Sequence, residues 1–231
     1  MIVNKKEFTI GIALAISFFV IFAFILSPSF GDGRNGLEFS DDMFNSISKG
    51  SSYRIPELKE DVESKVGQTL SSSFEAASAE QAEKIALLYK EAGAQVTVDG
   101  TEVKIDGDLG NIIKATIADS DDMYFNNGTV VSDRYGYDEK EVMYNWWYSF
   151  EGLNGSLQKE GQFSVAAYIN DVKIKAVEPA YNYYGIEAQN AADQKLPLAG
   201  MLVFYVIYTI WWGFAIFYIC EGVGVLMVDK K

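Results

Sequence analysis

The sequence predicts an α+β extracytoplasmic domain flanked by two transmembrane α-helices, and three observations carry that prediction. The run from Phe8 to Leu26 holds no charged residue and is long enough to cross the roughly 30 Å hydrocarbon core of a bilayer as a helix. A second apolar run starts at Leu196 and reaches Val228 with one acid, Glu221. The polar stretch between them mixes helical periodicity with short alternating segments, which is the pattern of a helix-plus-sheet domain.

The first span is expected at 8–27 and the second at 198–227. A cleaved signal peptide is the alternative for the first, because Lys5 and Lys6 resemble a basic leader. The apolar run outlasts the usual h-region, however, and Ile25-Leu26-Ser27 makes a poor small-x-small cleavage site. Lys5 and Lys6 precede the first span, and Lys230 and Lys231 follow the second. Basic flanks stay on the cytoplasmic side, so 1–7 and 228–231 are expected in the cytoplasm and 28–197 outside it, in a periplasmic or extracellular space bounded by the cell (inner) membrane.

Composition narrows the chemistry. The chain of 231 residues carries a net charge of −13, most of it in the central domain, which repels phosphate backbones and makes nucleic acid an improbable partner. The single cysteine, Cys220, lies at the second span, so the central domain has no disulfide and must be held by its core. Histidine is absent. Imidazole zinc sites, histidine-ligated haem and Ser-His or Cys-His nucleophiles each lose a required part.

Along the central domain, Gly31–Gly36 reads as a flexible exit from the membrane, and Leu37–Ser52 as short turns of helix. Pro56 suits the first turn of a helix through Leu58, Val62 and Val66 to Gly67, after which Ser71–Ser73 break the pattern. Ser78 and Gln81 have capping-box spacing ahead of a helix on Ala82, Ile85, Ala86 and Tyr89, stopped by Gly93. Gln95–Val98 and Thr101–Ile105 alternate around Asp99-Gly100, a type I′ hairpin signature. Asp108 caps a helix whose inner face is Leu109, Ile112, Ile113 and Ile117. Asn126–Thr129 marks a turn, with a second hairpin on Val130 and Val131. From Asp138 to Phe150 a helix buries Val142, Trp146 and Phe150, and Gly152, Asn154 and Gly155 interrupt it. A last helix, Gln162–Val177, puts Phe163, Ala166, Ala167, Ile174 and Val177 on one side and ends at Pro179. The order is helix, β-hairpin, helix, then a helical hairpin.

Few features point to chemistry. Asp106 with Asp108, and Asp119 with Asp121 and Asp122, have the oxygen density that calcium favours, but neither fits an EF-hand loop, and a turn and a solvated helix end account for them. Arg34 stands in the middle of Asp32–Gly36 and spoils that loop for a cation. Asn127-Gly-Thr129 and Asn154-Gly-Ser156 match glycosylation sequons, although Asn-Gly is equally a turn signal. No cofactor, metal site or catalytic residue is expected.

The aromatic residues are the stronger signal. Trp146 and Trp147 sit about 100° apart on one helix, so one faces the core and the other a partner or the membrane interface. Tyr205, Tyr208, Trp211 and Trp212 place polar-tipped rings within the second span, where those tips require partners. Glu221 lies either at the interface or, if the helix continues, near the apolar zone. Trp146, Trp147, Tyr205, Tyr208, Trp211, Trp212 and Glu221 are therefore the expected partner contacts. Gly11 and Ala15 form a small-xxx-small pair through which the two spans can pack. The expected function is that of a non-catalytic accessory or assembly subunit of a larger integral membrane complex, whose partners are other membrane subunits and the lipid bilayer. The rival expectations are a sensing module for a cation, sugar or peptide, and a hydrolase built on paired carboxylates.

Overall fold

The computed structural model describes residues 2–225, so the expected tail 228–231, with Lys230 and Lys231, and the last two residues of the expected 198–227 span lie outside the described residues. The chain is helix-rich with one small three-stranded sheet. Near its ends stand two helices long and apolar enough to cross a membrane, α1 (Lys5–Ile25) and α10 (Lys195–Val223). The described residues form two compact units, 48–188 and the remainder.

In the terminal unit, α1 is capped by Asn4, whose side chain accepts from Glu7 N. Helix α10 closes on Gly224 at φ 86°, a left-handed position that suits glycine. Only 11% of the most apolar window of α1 and 6% of that of α10 are buried, unlike the core helices of a soluble domain. The two pack side by side, and Gly11 and Gly222 let their backbones approach. A Cβ on Gly11 would meet Ile219 N at 2.6 Å, and one on Gly222 would meet Phe8 Cα at 2.6 Å. Val3 N and Asn4 N both donate to Gly222 O, at 2.8 and 3.0 Å, which answers a carbonyl that the end of α10 leaves open. Gly11 is buried as expected for a small contact residue, and Gly222 and Ala215 supply the facing small positions.

The segment after α1 is an ordered turn. Gly31, Asp32 and Gly33 all adopt positive φ, and Arg34 bridges Asp32 (3.0 Å) and Asp42 (2.6 Å). Asn35 accepts from Leu37 N and Glu38 N, while Glu38 accepts from Asn35 N, a reciprocal capping box. That box starts α2 (Gly36–Ser51), one continuous helix where the sequence suggested separate turns.

In the 48–188 unit, Pro56 sits in the first turn of α3 (Ile55–Asp61), which tightens into a 3-10 turn over Val62–Lys65. Next comes β1 (Thr69–Glu75), a strand that its three serines conceal. Leu70, Ser72 and Phe74 point inward, and Ser72 tolerates burial because its hydroxyl donates to Glu160 at 2.8 Å. Ser78 accepts from Gln81 N to open α4 (Ala79–Glu91). The hairpin β2 (Gln95–Asp99) and β3 (Glu102–Asp108) pairs Asp99 with Glu102, so Gly100-Thr101 forms the loop. Only Gly100 has positive φ, the type II′ pattern rather than the expected I′. β3 lies between β1 and β2 and is antiparallel to both, giving a split β–α–β arrangement.

Asp108 accepts from Asn111 N and opens α5 (Leu109–Tyr124), whose Leu109, Ile112, Ile113 and Ile117 are buried as expected. The expected second hairpin is instead α6 (Gly128–Tyr135). Helix α7 (Glu139–Lys159) runs uninterrupted through Gly152 and Gly155. Gly152 is no breaker: a Cβ there would stand 2.8 Å from the Phe74 ring, so glycine admits β1 against α7. The last helical stretch is α8 (Phe163–Val172), a π-helical turn over Lys173–Val177, and α9 (Glu178–Asn182). Pro179 lies in the first turn of α9 and does not end the run. Phe163, Ala167 and Ile174 are exposed, and Val165, Ile169, Val172, Ala176 and Ala180 take the buried face along with the expected Ala166 and Val177.

Candidate functional site

Two polar nodes stiffen the 48–188 unit. Asp119 is fully buried and accepts from Tyr135 Oη (2.7 Å), Trp146 Nε1 (2.8 Å) and the Arg134 guanidinium. Burial raises its pKa, and the hydrogen bonds from Tyr135 and Trp146 and the charge of Arg134 pull it back. Asp119 is thus buried and hydrogen-bonded, not the solvated helix end the sequence suggested. Asp121 is likewise engaged, accepting from Tyr53 and Lys59. Among the described residues no cluster of three or more His, Cys, Asp or Glu stands ready to hold a metal ion.

The second node is Lys49, at 2% exposure. Its ammonium donates to Asn126 Oδ1 (3.0 Å), Tyr183 O (3.1 Å) and Ile186 O (2.6 Å), and lies 5.1 Å from the Tyr124 ring centroid. Burial lowers its pKa, opposed by the charge of Glu187. No spacing rule marks Lys49, and the close spacing of Asp119, Asp121 and Asp122 does not point to the partners Asp119 takes at Arg134, Tyr135 and Trp146.

A surface groove lies between α7 and α9. It encloses about 320 Å³ and is lined by Tyr144, Trp147, Val177, Glu178, Tyr181 and Asn182. Tyr144 and Trp147 stand one helical turn apart with rings 6.0 Å apart at 23°, nearly parallel. The Trp147 indole donates to Glu178 Oε1 at 3.1 Å, which fixes the ring against α9. Tyr144 and Tyr181 are 42% and 41% exposed, while Trp147 is half-buried. A second groove of about 460 Å³, along Lys59, Glu63, Lys114 and Asp121, has its charges answered within it by the Lys114–Glu63 (2.8 Å) and Lys59–Asp121 (2.6 Å) pairs.

The residues singled out in the sequence are divided among three settings. Trp146 is buried at 0% exposure with its N–H on Asp119, while Trp147 faces the groove, as their 100° offset requires. In α10, Tyr208 Oη donates to Phe18 O (3.1 Å) and Trp211 Nε1 to Leu14 O (3.2 Å), while Trp212 packs on Phe18 and Phe19. The polar tips of Tyr208 and Trp211 thus have partners inside the chain. Tyr205 is turned outward at 67% exposure. Glu221 is half-buried in the last turn of α10, which continues past Tyr218. Of the groove residues, Trp147 was marked by its offset from Trp146, whereas Tyr144, Tyr181 and Glu178 were not among the expected contacts. Comparison of the chain with models of protein families, with characterised proteins and with solved structures gave no match.

Proposed function

We propose that this chain is a non-catalytic accessory subunit of a larger integral membrane assembly. In this reading α1 and α10 cross the bilayer as a hairpin, both chain ends are cytoplasmic, and the 48–188 unit stands outside to meet a partner through the groove of Tyr144, Trp147 and Tyr181. One observation carries the reading: three rings are held on rigid helices at the surface, with Trp147 fixed by Glu178 and packed on Tyr144. Aromatic anchors of this kind supply much of the binding energy at protein interfaces, since a ring contributes large area at small entropic cost. The buried polar groups support a structural role as well. Asp119 and Lys49 are engaged by neighbouring groups rather than aimed into a cleft.

Extraction in mild detergent followed by native mass measurement tests the proposal. The expected species is a stoichiometric complex well above the 25.7 kDa of the chain. A monomer at endogenous expression levels would overturn it.

A further inference from the structure

We infer that the groove between α7 and α9 seats an arginine side chain from a basic segment of the partner protein, an inference that rests on the accessory-subunit reading and names the chemistry of its contact. Three aromatic rings, Tyr144, Trp147 and Tyr181, and one carboxylate, Glu178, line the groove. Aromatic faces attract cations through their quadrupole, Trp most strongly, and a guanidinium additionally stacks on them.

The carboxylate of Glu178 favours a cation with donors over an apolar guest. Among the described residues Glu178 forms no ion pair, whereas the acids of the other groove, Glu63 and Asp121, are answered by Lys114 and Lys59. Its carboxylate accepts one hydrogen bond through Oε1, from Trp147. A carboxylate offers about four acceptor sites, so capacity remains for the forked donors of a guanidinium. Lys173 has its ammonium 5.7 Å from the Trp147 ring centroid and is paired with Glu151. Its charge is thus matched by a different acid, and the same indole already attracts an ammonium within the fold. The net charge of −13 adds a long-range field that draws a basic segment toward the surface.

The test uses the full chain in lipid nanodiscs and a dye-labelled peptide, acetyl-Gly-Arg-Gly, read by fluorescence anisotropy. Its control replaces arginine with citrulline, which keeps the shape and removes the charge. The expected result is saturable binding, weakened about tenfold by citrulline, by Glu178→Gln and by Tyr181→Ala, consistent with a desolvated cation–π and charge contact. Glu83→Gln removes an equal charge from an exposed site on α4 and should change affinity less than about twofold. Thermal melts of the variants establish that each is folded. Equal binding of the citrulline peptide, equal effects of Glu178→Gln and Glu83→Gln, or no saturable binding of the arginine peptide would each overturn the inference. If native mass shows a complex that Glu178→Gln and Tyr181→Ala leave intact, the arginine contact is wrong while the accessory reading stands. A monomer that still binds the peptide has the opposite meaning.

Discussion

Lys49 Nζ lies 3.0 Å from Asn126 Oδ1, and Asn126 itself holds a left-handed backbone at φ 61°. The same amide oxygen accepts from Gly185 N at 2.8 Å, and the amide nitrogen donates to Ile186 O and Glu187. One ammonium and one amide therefore join the end of α2, the loop after α5 and the segment 183–187. Replacing Lys49 with Met keeps much of the stem packing and removes the donor. The expected loss is about 2 kcal/mol of stability, the scale of hydrogen bonds from a charged group, read by denaturant unfolding.

Asp119 gives a graded prediction. Asp119→Ala leaves Tyr135 Oη and Trp146 Nε1 buried without their acceptor and should cost about 3–5 kcal/mol. Asp119→Asn retains an oxygen for one of them and should cost less. Equal and small losses in thermal melts would show that this node is not what orders α5 against α7.

Two glycines on α7 should respond in opposite senses. Gly155 has open space where a Cβ would go, so Gly155→Ala should stabilise by about 0.5–1 kcal/mol through helix propensity. Gly152→Ala drives a methyl into the Phe74 ring and should instead destabilise by about 1–3 kcal/mol. The same two melts check both signs.

Alkaline pH should unfold the 48–188 unit through its tyrosines. Burial pushes Tyr53, Tyr137 and Tyr168 each up to about 12 from an ordinary value of 10.0. The folded state therefore holds these protons more tightly than the unfolded state. Their contribution to stability is fully present below pH 10 and is lost as pH rises toward 12. Ultraviolet titration of tyrosinate alongside melts at stepped pH should show late ionisation and falling stability in that window.

What the sequence disclosed depended on how local each cause was. Caps were legible at Ser78 and Asp108, because each bonds a backbone N–H three residues onward. The inner faces of α4 and α5 were legible through helical periodicity. β1 was hidden because Ser71, Ser72 and Ser73 resemble a loop, and what makes the strand is pairing with β3 and the bond from Ser72 to Glu160. Gly152 looked like a helix stop and is a packing notch for Phe74, a residue 78 positions earlier. The groove was legible at Trp147 alone, and which of Trp146 and Trp147 faced outward was decided by Asp119, which claims the Trp146 indole. Along α10, Tyr208 and Trp211 bond backbone carbonyls of α1, and Tyr205 is turned away from it.

The proposed topology is a helical hairpin in the bilayer with the 48–188 unit on the far side from the chain ends. Single-cysteine labelling in sealed cells measures it directly. In a Cys220→Ser background, cysteine is placed at exposed Glu83 on α4 or at exposed Ile2 before α1, and a maleimide that cannot cross membranes is added outside. With this topology Glu83→Cys is labelled rapidly in intact cells and Ile2→Cys only after permeabilisation. Labelling of both from outside, or of Ile2→Cys alone, would contradict it.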